Sequence, residues 1–126
     1  GLYVHLRRNV PYPMLLTFDA SDTSVACFQR ERSNSPLQAL TLLNDPVFFE
    51  CSTKLGEQLA AQPGEIAERL QQGFTHCMGR PPKPPELEAL RSLYQDQLQL
   101  TNGDGTLAMI AVARVIMNLD EFITRE

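Results

Sequence analysis

Residues 30–46 read RERSNSPLQALTLLNDP, and this stretch decides the fold. Ser35, Pro36 and Gln38 make a capping box: a hydroxyl at the N-cap, a proline at the first helical position, and an amide that can reach back to the N-cap N–H. Leu37, Leu40 and Leu43 then recur at helical spacing. Pro46 has no N–H and collides with the carbonyl four residues back, so the helix must kink or restart there. Asp45 stands where the next N-cap belongs, with Pro46 at N1. A second helix follows, carried by Phe48, Cys51, Leu55 and Leu59 to about Ala61. The stretch therefore reads as two helices joined by a bend.

The same periodicity continues toward the C-terminus. After the punctuation QPGE, a third helix is expected from about Glu65 to Met78, with Ile66, Leu70, Phe74 and Cys77 on one face. GRPPKPP ends it and forms a stiff, polyproline-like connector. A fourth helix is expected from about Pro85 to Leu100, with Leu87, Leu90, Tyr94 and Leu98 inward. TNGDGT then turns the chain into a last helix from about Thr106 to Phe122, with Ala108, Val112, Val115, Leu119 and Phe122 facing the core. Residues 1–34 differ. PYPMLLTF carries two prolines in three residues and reads as an extended apolar strap over 11–18, DASDTS as a turn, and GLYVHL and VACFQRER as short extended pieces. The expected class is all-α: an irregular orthogonal bundle of about five helices with an extended N-terminal strap, one helical domain over 1–126.

Composition narrows the function. The 126 residues suffice for one domain with a core. Hydrophobic residues make up 43% and charged residues 21%, ordinary for a globular domain. No apolar run approaches the roughly 18 residues of a membrane span. The net charge of −4 argues against a dedicated nucleic-acid binder, which shows a basic stripe. The charge is uneven: Arg7, Arg8, Arg30 and Arg32 against Asp19, Asp22 and Glu31 give residues 1–34 a net +1, leaving −5 for the other 92. Nine of the eleven basic residues are Arg, which suits fixed bidentate pairing, although a composition bias would give the same count. Cys27, Cys51 and Cys77 form no C-x-x-C, so no redox pair, zinc knuckle or covalent haem motif is present; three buried thiols are expected rather than a disulfide and one free thiol. The chain starts at Gly1 without a signal peptide, and is expected to be a piece of a longer protein.

Side chains able to carry chemistry are few. His5 and His76 have no metal-ligand or triad spacing, and His76 suits a helix C-terminus. NGDG at 102–105 lacks the full ligand series of a calcium loop. Arg30, Arg32, Asn34, Asn44 and Asp45 stand at the two ends of a helix about 12 Å long. They read either as braces of the bent helix pair, with Asn34 and Ser35 closing one end and an Arg pairing with a carboxylate in the bend, or as the edge of an anion or sugar pocket. Arg114, Asn118, Asp120 and Glu121 form a second set on the last helix, where Arg114 and Asn118 share a face. That face either meets the first set across the core or is a solvated stripe.

Four segments in order, RRNVPYPMLLTFDASD, RERSNSPLQALTLLNDPVFFE, GFTHCMGRPPKPPELEAL and AVARVIMNLDEFITRE, closely resemble Domain of Unknown Function 1553, the planctomycete-specific domain, from about Leu2 to Glu126. The resemblance corresponds to the C-terminal part of that domain. It implies a large exported protein with a second uncharacterised domain upstream and often a cytochrome c-type region, so that haem c would lie elsewhere, with no cofactor in this stretch. Asp19, Gln38, Gly79, Arg80 and Pro81 also match its signature, as do the two polar sets above. Lys83 departs from it, standing where a Thr-like cap is usual, which implies a looser start to the fourth helix. Two functions are open: a binding or assembly module that packs on upstream domains and helps to present a polysaccharide or redox partner, or half of a glycan-directed, oxidative or hydrolytic active site completed upstream. No self-contained catalytic set appears. For the assembly module the expected sign is an exposed apolar patch, with 11–18 the candidate.

Overall fold

The computed structural model describes residues 12–20, 28, 33 and 35–124. Among them it has seven helices and no strand: α1 Pro13–Thr17, α2 Pro36–Asn44, α3 Pro46–Ala61, α4 Ile66–Met78, α5 Pro84–Leu100, α6 Gly105–Ile116 and α7 Asp120–Ile123. The class is all-α, as expected.

The helix starts follow the sequence closely. Ser35 Oγ accepts from Gln38 N–H, and Gln38 Oε1 accepts from Ser35 N–H at 2.9 Å, closing the capping box of α2. Asp45 Oδ1 accepts from Val47 N–H at 2.9 Å and caps α3. Gly79 ends α4 in the left-handed region at φ 74°, which glycine adopts without a Cβ penalty. Asp104, in the NGDG turn, accepts from the N–H groups of Thr106 and Leu107 and starts α6.

α6 is the axis of the molecule. Ala108, Met109, Val112, Ala113 and Ile116 are all buried on it. Around them lie Leu59 of α3, Leu70, Phe74 and Cys77 of α4, and Leu90 and Tyr94 of α5. α3 lies closest against α6 because Gly56 admits the other backbone: a Cβ there would stand 2.5 Å from Ile110 Cα. Burial in this core pushes the Cys77 thiol pKa up, which makes it a packing group rather than a nucleophile.

Four expectations change. The stretch expected as an extended strap forms a turn and a half of helix, α1, because Pro13 sits at N1 and its missing N–H is no loss there. The last helix does not run to Phe122. It tightens through Asn118 N–H to Val115 O and Leu119 N–H to Ile116 O, breaks, and restarts as α7, so Leu119 and Phe122 fold back onto the core. Val115 and Cys51 are exposed rather than inward. The leucine stripe of α2 is turned out: Leu37 and Leu40 are 58% and 54% exposed, whereas Gln38 and Leu42 are buried. Hydrogen bonding explains that last choice. Gln38 Nε2 donates to Thr17 O at 2.9 Å and to Ser33 Oγ at 3.1 Å, which holds the 38/42 face inward and leaves 37, 40 and 43 outside.

Candidate functional site

The bend between α2 and α3 holds two of the polar residues that the sequence singles out, Asn44 and Asp45. Asn44 is the last residue of α2 and is exposed. Asp45 spends its carboxylate on the first turn of α3, and its own N–H donates to Thr41 O at 2.8 Å. The arginine at this bend is Arg114 of α6, 71 residues further on. Its Nη2 donates to Leu43 O at 3.1 Å, and its guanidinium carbon lies 4.9 Å from the centre of the Phe49 ring. The bend thus holds a cation, whose partners among the described residues are a carbonyl and an aromatic face. The interaction is physically apt, since a C-terminal carbonyl of a helix lacks an intrahelical donor and attracts a cation. Of the second polar set, Arg114 therefore reaches the backbone beside Asn44 and Asp45. Asn118 is half-buried at the α6–α7 break, with its Oδ1 buried and without a partner among the described residues, and Asp120 opens α7 in exposed surroundings. Arg30, Arg32 and Asn34 lie outside the described residues.

A second polar group joins the N-terminal turn to α2. Ser33 donates to the Asp19 carboxylate from both Oγ (2.8 Å) and N–H (2.7 Å), and Gln38 Nε2 adds a longer bond at 3.3 Å. The Ser33 hydroxyl first, then its N–H, hold the Asp19 carboxyl below the usual carboxylate range. Asp19 itself takes φ 54°, and Ala20 N–H closes the turn on Leu15 O at 2.8 Å.

The densest electrostatic cluster was not legible in the sequence. Arg80 directs Nη1 and Nη2 to the two oxygens of Glu86 at 2.9 Å, Nε and Nη2 to those of Glu121 at 2.7 and 2.6 Å, and Nη1 also to Pro81 O. The Phe74 ring centre lies 5.0 Å from its guanidinium carbon. Arg80 lowers the Glu86 carboxyl to about 2 and holds Glu121 below its ordinary value; the two carboxylates in turn raise Arg80. Glu86 also accepts from Lys83 N–H at 2.6 Å. The helix start expected to be loose is thus fastened by the glutamate at its third position. With every donor of Arg80 engaged, the cluster is a clasp between α5 and α7.

The apolar counterpart lies on the opposite side of Gln38. Tyr12 and Leu16 of the α1 region, Leu37, Leu40 and Leu43 of α2, and Val47 and Phe49 of α3 are each at least 37% exposed. No residue of α2 carries a charge. A shallow, open depression on α4 is lined by Glu68, Gln71, Gln72, Thr75 and His76, the outer face of that helix. Among the described residues no three His, Cys, Asp or Glu side chains gather as a metal site, and no helix is long and apolar enough to cross a membrane.

A family model described as "Protein of unknown function (DUF1553)" matches residues 1–94. The match takes in the α2–α3 bend and Arg80, and stops before α6. No curated protein and no solved structure matches the chain.

Proposed function

We propose that this chain, which belongs to the DUF1553 family of proteins of unknown function, is a helical assembly module that packs on upstream domains of a larger exported protein. One observation carries the reading: α2 turns Leu37 and Leu40 outward at 58% and 54% exposure, with Val47 at 61% beside them. Exposed leucine on a helix whose buried positions are filled by Gln38 and Leu42 supports a face that packs on another surface. Charge selects the kind of surface. The face is neutral in a chain of net charge −4, so an anionic bilayer is repelled and an uncharged apolar surface of polypeptide is favoured. For the composite active site, which would use Arg30, Arg32, Asn44 and Asp45, the one contrary observation is that Asp45 spends its carboxylate on capping α3. A role in presenting a polysaccharide or redox partner belongs to the whole protein under this reading.

The test is to produce the upstream polypeptide and residues 1–126 as separate chains and measure their association by sedimentation. Stable association, weakened at least tenfold by L37S/L40S with the fold intact by circular dichroism, is the expected result. No association, or a self-dimer of residues 1–126 abolished by the same substitutions, would replace the proposal.

A further inference from the structure

We propose that Asn102 is a site of self-modification, at which the chain converts an asparagine to aspartate and isoaspartate at a rate set by opening of the α5–α6 turn. Asn102–Gly103 is the one Asn–Gly pair in the sequence, and both residues are exposed. The reaction is intramolecular. The Gly103 backbone nitrogen gives up its proton to solvent and attacks the carbonyl carbon of the Asn102 side chain. The bond from that carbon to the amide nitrogen breaks, a proton is taken back from solvent, and ammonia leaves. Water then adds to either carbonyl of the five-membered imide and opens it, to aspartate or to isoaspartate. The sum consumes one water and releases one ammonia, with nothing oxidised or reduced. Glycine matters at the attacking position because no Cβ stands in the way. Asn44 is followed by Asp45 and Asn118 by Leu119, each with a side chain beside the attacking nitrogen.

The turn also holds the reaction back. α5 ends at Leu100; beyond it, Gly103 N–H donates to Leu98 O at 2.8 Å and Asn102 N–H to Gln99 O at 3.3 Å. These two bonds close a helix through one left-handed residue, and Asn102 supplies that residue at φ 54°. While its N–H is given to Leu98, the Gly103 nitrogen can neither lose its proton nor turn toward the Asn102 side chain. Thr101 fastens the turn from within: its Oγ1 donates to Gln97 O at 2.8 Å, with Asp104 O 3.1 Å away. A helix end of this kind opens well before the whole domain does, and each opening frees the nitrogen.

The product cannot rebuild the turn. Isoaspartate carries the main chain through the former side chain and adds a methylene between residues 102 and 103, which puts Gly103 N–H out of register with Leu98 O. Either product adds a carboxylate at the C-terminal pole of α5, where the carbonyls are already negative and no basic residue lies in the last turn. Conversion therefore loosens the start of α6, whose cap, Asp104, stands two residues on.

The experiment incubates the chain in mildly alkaline buffer and follows amide loss residue by residue by peptide mapping, with isoaspartate told from aspartate by fragmentation. Parent and T101A are each compared folded and in urea. Asn102 is expected to convert first, about tenfold more slowly in the folded parent than in urea, with folded T101A in between. The two chains should convert alike in urea. Another asparagine converting first overturns the assignment. Equal rates folded and unfolded, or a folded T101A rate equal to the parent's, overturn the gate. Conversion that tracks the unfolded fraction across a urea series does the same, because the opening would then be global. Should T101A fail to fold, that urea series on the parent decides alone.

Discussion

Replacing Gly56 with alanine tests the packing that organises the whole molecule. Alanine is the better helix former, and by propensity alone G56A would stabilise an internal helical position by about 1 kcal/mol. The structure predicts the reverse. The new Cβ would lie 2.5 Å from Ile110 Cα, 2.6 Å from its Cγ1 and 2.7 Å from its N. Two of those atoms are backbone of α6, so no rotamer change relieves the clash. The helices must separate, along the interface that buries Met109 and Val112. Overpacking costs about 1–3 kcal/mol and more where backbone must move. After the propensity gain, a net loss of about 2 kcal/mol is expected, or roughly 6–10 °C in Tm for a domain of this size. Urea and thermal unfolding of the parent and G56A measure it directly. Gly73→Ala is the internal comparison: its Cβ would meet Leu59 Cδ1 at 2.6 Å, a side-chain tip that can rotate, so G73A should lose less. A G56A protein as stable as the parent, or less affected than G73A, would refute the close approach of α3 and α6.

Three other outcomes follow from the geometry. Gln38→Leu removes donors to Thr17 and Ser33 and leaves Ser35 N–H without its acceptor. It should cost about 2–3 kcal/mol, seen as a lower urea midpoint together with faster proteolysis near residues 12–20. Asp45→Ala strips the cap of α3 and should cost about 1 kcal/mol; a loss below a few tenths by chemical denaturation would contradict the cap. The pH dependence follows from the Arg80 clasp. Glu86 is lowered to about 2 from an ordinary 4.5, so its contribution is complete above the unfolded value and is lost as pH falls from about 4.5 toward 2. Acid titration of stability should therefore be shallower over that window in E86Q than in the parent, and parallel curves would remove Glu86 from the account.

Much of the helix order was readable because it is written in local chemistry. Ser35, Asp45, Gly79 and the prolines at 36, 46 and 84 act on their own neighbours, and the helices they bound begin and end within a residue or two of expectation. The α6–α7 break depends on tertiary packing, since Phe122 finds its apolar partners in the main cluster. No breaker residue marks the stop at Ile116. The leucines of α2 show a different limit. Periodicity identifies an apolar stripe, yet which side of the helix is covered was decided by Gln38 bonding to residues 5 and 21 positions away. Of the polar residues that the sequence singles out, Arg114 reaches the α2–α3 bend, at the Leu43 carbonyl beside Asn44. Arg80 and Glu121, 41 positions apart, find each other only in three dimensions.

That last pairing bears on how the chain ends. A helix of four residues cannot nucleate alone in water, so α7 exists by virtue of its attachments: Phe122 beneath it and the Arg80 guanidinium beside it. Residues 80–121 are thereby closed into a ring by non-covalent bonds, with α5 and α6 inside it. Opening at the connector between α4 and α5 and fraying at Glu121 become one event rather than two. A reporter group placed after Thr124 would then register strain arising some forty residues earlier in the chain.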